Sequence, residues 1–99
     1  MLDRKLIGTL PSLQDSPVTI GGWVETLRDQ KRIQFIIIRD ESGSVQVTYP
    51  RPADEDALAD VVSSLTSGTF VEVTGNLKHD ERVKLNGIEI LLTDLKVVS

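Results

Sequence analysis

The sequence predicts an all-β barrel of five strands, with a single helix between the third strand and the fourth. Three observations lead to this fold class. The chain has 99 residues, so residues 1–99 are expected to form one domain. Short β-branched runs bounded by turn residues make up most of the chain, a pattern typical of strands. One segment near the middle changes to the spacing of an amphipathic helix.

Five apolar runs account for the strands. The first run contains the pair Gly21-Gly22, which predicts a bulge or a sharp bend. A charged loop over residues 28–32 follows it, and a turn at 41–44 joins the second run to the third as a hairpin. The predicted strands are 17–27, 33–40, 44–49, 69–77 and 88–92, the last continued over 95–98.

The helix is predicted from its period. Apolar residues follow helical spacing at Ala57, Leu58, Val61, Val62 and Leu65. Three acidic residues, 54–56, stand where a helix start favours negative charge, and Gly68 is a candidate C-cap. Leu58, Val61 and Leu65 are expected to cover one end of the barrel.

Five strands with a helix after the third is the layout of the OB-fold, a five-stranded Greek-key barrel. An SH3-like barrel and a split β-sandwich are the alternatives, but neither has a natural place for the helix. Residues 4–14 are ambiguous and predict either a short strand or a single turn over one end of the barrel.

The net charge of −4 argues against nucleic acid as a partner. The charge is unevenly distributed, however. Asp54, Glu55, Asp56 and Asp60 carry the whole excess, whereas residues 28–39 hold four basic residues against one acidic residue. The local field of a surface matters more than the total charge.

Several classes of protein are disfavoured by composition. The chain has no cysteine, so disulfides and cysteine-ligated metals are excluded. No run is long and apolar enough for a membrane span or a signal peptide, so a cytoplasmic protein without membrane contact is expected. No cofactor or metal motif is present, and the single histidine, His79, is expected to be a solvated loop residue. A catalytic site within the chain is therefore not expected.

The second and third strands carry the binding signal. Side chains alternate between the two faces of a strand, so Phe35 and Arg39 share one face. Burying Arg39 unpaired would be costly, which predicts that this face, with Phe35, is outside the barrel. The same alternation puts Gln46 outside, near Phe35, with Arg28 and Arg32 at the edge.

An exposed ring with arginines and an amide suits single-stranded nucleic acid. The alternative is that Phe35 belongs to the core. Trp23 is expected either near this surface or in the mouth of the barrel, and Glu89 is expected to face outward.

Four motifs resemble the anticodon-binding domain of class II aspartyl- and asparaginyl-tRNA synthetases. They are VTIGGWV followed by RD at 28–29, FIIIRD-x-SG-x-VQV from Phe35, V-x-V-x-G from Val71, and NGIEIL from Asn86. The resemblance extends from about Gly8 to Val98. Lysyl-tRNA synthetases share part of it, but Phe35, Gln46 and Glu89 together favour the aspartate/asparagine branch.

The resemblance implies roles for individual residues. Phe35 would stack on the central anticodon uridine, Gln46 would hydrogen-bond the same base, and Glu89 would accept hydrogen bonds from a guanine-type first base. Arg28 would contact the anticodon backbone or a base, and Arg32 or Arg39 would hold phosphate. The short turn between Lys78 and Gly87 would help to choose the third base.

We therefore expect a module that binds the tRNA anticodon loop and has no catalysis of its own. If the chain is a piece of a longer protein, the resemblance implies an aspartate- or asparagine-tRNA ligase whose catalytic domain lies elsewhere. The alternatives are a free-standing, non-specific binder of single-stranded DNA or RNA, and an OB-fold used for protein interaction or dimerisation. The expected partner is tRNA or another single-stranded nucleic acid, and a homodimer is possible.

Overall fold

The computed structural model describes residues 3–99 and has the predicted closed barrel, with strand order β1-β2-β3-β5-β4. Neighbouring strands are antiparallel, except that β3 and β5 run parallel. This topology confirms the OB-fold. The elements are a 3-10 helix over Ile7–Ser12, β1 over Pro17–Asp29, β2 over Ile33–Asp40, β3 over Gly43–Pro50, α1 over Ala57–Ser63, β4 over Phe70–His79 and β5 over Ile88–Val97.

The long strand β1 closes the barrel because it changes partner halfway along. Its first half pairs with β4 and its second half with β2, and Trp23 has a partner on each strand. A side chain at Gly22 would place its Cβ 2.6 Å from the backbone oxygen of Arg39, so only glycine fits at this corner. β1 does contain a bulge, but it lies after the glycine pair, between Val24 and Thr26.

The core fills the barrel with the inward side chains of all five strands. On β2, Ile36 and Ile38 point inward, as the alternation predicts. Two polar residues of the same strand, Gln34 and Asp40, are buried with them. The buried apolar core consists of Ile7, Leu10, Val18, Ile20, Val24, Ile36, Ile38, Val45, Val47, Val62, Leu65, Val71, Val73, Leu77, Ile88, Ile90, Leu92 and Leu95.

The helix is shorter than predicted, and one residue assigned to its apolar face is misplaced. Asp56 is the N-cap and accepts a hydrogen bond from the backbone N–H of Ala59. The buried residues of α1 are Ala59 and Val62, whereas Val61 is exposed. The reason is that α1 spans only Ala57–Ser63, so a narrow stripe suffices to meet the barrel and Leu65 packs from beyond its end.

The predicted C-cap at Gly68 is also wrong. The helix ends at Ser63, and its C-cap is Ser64, which has a right-handed helical backbone. Gly68 instead has a φ of 91° and donates its backbone N–H to the carbonyl oxygen of Val24 at 2.8 Å. A glycine is therefore needed at position 68 because the turn into β4 requires a positive φ there.

The N-terminal segment forms a helical turn, one of the two predicted alternatives. Its Ile7 and Leu10 are fully buried and join the core. The backbone N–H of Ile7 donates to a carboxylate oxygen of Asp40 at 2.8 Å, which ties the segment to the end of β2. Across residues 3–99, no helix has the length and apolar character needed to span a membrane.

Candidate nucleic-acid interface

A cavity of about 960 Å³ lies on the outer face of β1, β2, β3 and β5. Cross-strand partners arrange its floor in two rows. One row is Arg28, Phe35, Thr48 and Leu91, and the other is Thr26, Ile37, Gln46 and Glu89. The remaining lining residues are Ile33, Pro50, Asp80, Arg82, Val83 and Lys84.

Phe35 lies on the outer face of the barrel, so the prediction of an outward ring is confirmed and the core alternative is wrong. Its side chain is half-buried, while its neighbours Gln34 and Ile36 are fully buried on the other face. The guanidinium carbon of Arg28 lies 5.6 Å from the ring centroid, within range of a cation–π contact. The ring is therefore both accessible and held in place.

Arg28 stands on a strand rather than in the predicted charged loop. β1 continues to Asp29 and makes Arg28 the direct cross-strand partner of Phe35. The sequence placed this arginine at the edge of the surface, because a run of charged residues is typical of a loop. Pairing along the strand brings it over the ring instead.

Gln46 and Glu89 are direct partners across the parallel pair β3 and β5. Gln46 lies diagonal to Phe35, because Phe35 pairs with Thr48 and Ile37 pairs with Gln46. The amide nitrogen of Gln46 donates to the hydroxyl of Thr48 at 3.1 Å. That bond orients the amide, and its oxygen has no hydrogen-bond partner among the bonds of the described residues.

The structure leaves two predicted arginines out of the cavity. Arg32 lines a different cleft, beside Lys31 and Arg51. Arg39 lies on the same outer face as Phe35, but it pairs with Trp23 at the far end of β2. Of the six predicted site residues, the cavity thus gathers Arg28, Phe35, Gln46 and Glu89.

The loop between β4 and β5 contributes cations that were not singled out in the sequence. Arg82 and Lys84 line the cavity, beside Asp80 and Val83. Arg82 donates to both carboxylate oxygens of Asp80, at 3.0 and 2.9 Å. These hydrogen bonds from Arg82 lower the pKa of Asp80. The signal in the sequence was the pair of basic residues in an otherwise polar turn, but their direction depends on how the loop folds.

His79 is exposed, as predicted, but it ends strand β4 instead of lying in the loop, and its ring is hydrogen-bonded. One ring nitrogen lies 2.7 Å from the Asp15 carboxylate, and the other lies 3.1 Å from the Pro11 carbonyl oxygen. Both neighbours are acceptors, which favours the doubly protonated ring. The bond to Asp15, followed by the bond to Pro11, raises the pKa of His79.

The charges of the cavity differ from those of the whole chain. Its lining holds three cations, Arg28, Arg82 and Lys84, against two carboxylates, Asp80 and Glu89. The acidic residues Asp54, Glu55, Asp56 and Asp60 line a separate cleft of about 680 Å³. The excess negative charge therefore lies away from the cavity, as the charge distribution predicts.

The cavity offers recognition chemistry rather than metal chemistry. Within the described part of the chain, no three His, Cys, Asp or Glu side chains are grouped as metal ligands would be. The cavity combines an aromatic ring, an amide, carboxylates and cations. Such a set can stack a planar group, hydrogen-bond its edge and neutralise a phosphate.

Comparison with known proteins gives an independent view of the chain. The tRNA anti-codon family, described as an OB-fold nucleic acid binding domain, matches residues 18–98. The aspartate–tRNA(Asp/Asn) ligase of Methanosarcina acetivorans is 33% identical over 82 residues, which are 83% of this chain and 18% of the ligase. The aspartate–tRNA(Asp) ligase of Pyrobaculum aerophilum is 32% identical over 89 residues, 90% of this chain and 21% of that ligase.

A solved structure supports the same likeness. The asparaginyl-tRNA synthetase of Pyrococcus horikoshii, complexed with asparaginyl-adenylate, superposes with a TM-score of 0.86 at 27% identity. The match covers 100% of this chain and 23% of the synthetase. The chain therefore spans about a fifth of the length of the relatives that it matches.

Proposed function

We propose that this chain, which belongs to the tRNA anti-codon family of OB-fold nucleic acid binding domains, binds the anticodon loop of aspartate- or asparagine-type tRNA. The observation that carries the proposal is the position of the Phe35 ring. It lies outside the barrel, under Arg28, in a cavity that also holds Gln46 and Glu89. The chain would bind this tRNA as a domain of an aspartate- or asparagine-tRNA ligase, since the relatives that match carry such names.

Stacking is the first part of the proposed mechanism. A base that lies flat on an aromatic ring gains roughly 1–3 kcal/mol, and every base has such a face. Arg28 would hold the phosphate beside that base, because its guanidinium carbon lies 5.6 Å from the centroid of the same ring. Anticodon bases are unpaired in the free loop, so they can be splayed onto the ring.

Reading the base edges is the second part. Uracil has one N–H donor between two carbonyl acceptors, and the amide of Gln46 can both accept and donate. Glu89, directly across from Gln46, only accepts when it is ionised. It therefore suits the adjacent N–H donors of guanine and disfavours bases that present acceptors there.

The loop cations are the third part. Arg82 and Lys84 project from the loop between β4 and β5 into the cavity lining. Their positive charges would complement the backbone phosphates of the nucleotides next to the stacked bases. Because phosphate contacts release counterions, binding should weaken as salt rises.

A binding assay with a labelled aspartate-type anticodon stem-loop, sequence G-U-C, tests the proposal. Phe35→Ala should raise the Kd at least tenfold, since the stacking surface is lost. Phe35→Tyr keeps the ring and should bind within about twofold of the parent. Val61→Ala, a change at an exposed residue of α1 outside the cavity, is the control and should leave the Kd unchanged.

Two outcomes would contradict this proposal. Equal Kd for the stem-loop and for a uridine homopolymer of equal length would favour a non-specific single-strand binder. Full binding by Phe35→Ala would show that the ring is not a stacking surface. Base reading is tested separately: Glu89→Gln should reduce the preference for guanine at the first anticodon position, and Gln46→Leu the preference for uracil at the second.

A further inference from the structure

The outer face of β1 and β2 carries a second aromatic–arginine pair beyond the cavity. Trp23 on β1 is the direct cross-strand partner of Arg39 on β2, just as Arg28 is the partner of Phe35. Thr26 and Ile37 form the pair between them on the same face. We call these three cross-strand pairs the outer strip. It runs from Arg28–Phe35 through Thr26–Ile37 to Trp23–Arg39.

Trp23 is one of the large apolar residues that the barrel leaves exposed. Its side chain is 44% exposed, whereas Gly22 and Val24 on either side are buried. Clefts of about 530, 390 and 210 Å³ all include Trp23 in their walls. An exposed ring between clefts leaves room for a flat group against it.

The indole is nevertheless held in place. Phe70 packs against it at a centroid distance of 5.0 Å, with the ring planes at 84°. Arg4 lies over Phe70 at 5.8 Å and pairs with Glu72 at 2.8 Å. A ring fixed in this way loses little conformational freedom when a base stacks on it.

Arg39 is available to a ligand. It is exposed, and none of the ion pairs within residues 3–99 involves it. Two of the three clefts around Trp23 include Arg39, together with Glu25 in one and Glu41 in the other. Because these carboxylates offset part of the positive charge, stacking should contribute more to affinity here than phosphate contact.

We propose that Trp23 and Arg39 form a second nucleotide position, which binds a base and phosphate flanking those on Phe35. The inference rests on the proposed function, because it extends the same single strand along the outer strip. Arg39 lies four positions after Phe35 on β2, roughly 13 Å along the strand. Single-strand sites on OB-folds span about 4–16 nucleotides, so a path longer than the cavity is in the usual range.

The test compares two RNA probes, a G-U-C trinucleotide and an anticodon stem-loop with the same triplet in a full loop. Trp23→Leu and Arg39→Gln should each weaken stem-loop binding, Trp23→Leu by roughly tenfold. Both variants should bind the trinucleotide within about twofold of the parent. Trp23→Phe should recover most of the stem-loop affinity, which separates stacking from general packing.

Fluorescence gives a second measurement, because Trp23 is the only tryptophan of the chain. The stem-loop should quench its emission, whereas the trinucleotide should leave it nearly unchanged. Circular dichroism and thermal unfolding of each variant check that the barrel is intact.

The outcomes separate the two proposals. Unchanged stem-loop binding in both Trp23→Leu and Arg39→Gln would overturn the second position and would favour a protein contact for this surface, with the Phe35 proposal intact. Equal weakening of both probes would also overturn it, since Trp23 would then act on the cavity itself. If the parent chain binds neither probe, the anticodon proposal fails, and the second position fails with it.

Discussion

The two faces of β2 differ in burial, because alternate residues of the strand point into the core and out of the barrel. The inner face, Gln34, Ile36, Ile38 and Asp40, is buried at 8% exposure or less. The outer face, Phe35, Ile37 and Arg39, is half-buried or exposed and forms part of the outer strip. One eight-residue strand thus supplies both part of the core and part of the proposed binding surface, and a shift of one residue in register would exchange the two faces.

The adjacent isoleucines 37 and 38 give the sharpest test of this division. Ile38→Ala should lower the free energy of unfolding by about 2–5 kcal/mol, because it leaves a cavity in a closed core. Ile37→Ala, on the outer face, should cost clearly less. Urea denaturation of the two variants measures both values. Similar losses would mean that the outer face is packed as tightly as the core.

Replacing Gln34 tests whether a polar residue of the inner face contributes to the free energy of unfolding. Its amide nitrogen donates to the Ala59 carbonyl oxygen at 3.0 Å and to the Ser63 hydroxyl at 3.1 Å, which ties β2 to α1. Gln34→Met keeps most of the volume but no donor, so a loss of about 1–3 kcal/mol is expected in the same denaturation assay. The Gln34 side-chain oxygen is buried without a hydrogen-bond partner. A more stable Gln34→Met would show that the cost of burying this oxygen outweighs the bonds of the amide nitrogen, which include a third one to the Asp29 carboxylate at 3.2 Å.

Replacing Asp40 should have the smallest effect on the free energy of unfolding, and that effect should depend on pH. Burial raises the pKa of its carboxyl, but hydrogen bonds from the backbone of Ile7 and from Ser42 and Gly43 outweigh burial and lower the pKa below 3.8. A lowered pKa adds stability above the unfolded-state value, and this stability is lost as pH falls through the folded-state value.

Asp40→Asn should therefore be less stable than the parent at neutral pH, and the difference should shrink in acid. Urea denaturation at neutral pH and near pH 3 checks this expectation. Asp54→Asn, an exposed change on the acidic segment, is the matched control. A difference that is constant across this range would assign the effect to lost packing instead of ionisation.

Alternation along strands was sufficient to predict much of this structure. It identified β2 and its outward Phe35, and it put Gln46 and Glu89 on the outer surface, because a residue's face follows from its neighbours in sequence. Gln34 was not singled out from the sequence: it shares the buried face of Ile36, and an amide is tolerated there because α1 accepts its hydrogen bonds.

Other features depend on contacts between distant residues. The ring of His79 is bonded to Asp15, which lies 64 residues earlier in the chain. Arg39 was grouped with Phe35 by alternation, but distance along the strand puts it beside Trp23 instead. Val61 is exposed because α1 spans only Ala57–Ser63, and this short length does not follow from apolar spacing.

The parallel pairing of β3 with β5 links ligand binding in the cavity to the stability of the barrel. It joins only residues 46–48 to residues 89–91, the shortest ladder of the barrel in the described residues. Gln46 and Glu89 sit at one end of that seam, one on each strand. A ligand that contacts both residues would link the two strands at this shortest ladder, and because it binds only the folded barrel it would stabilise that barrel.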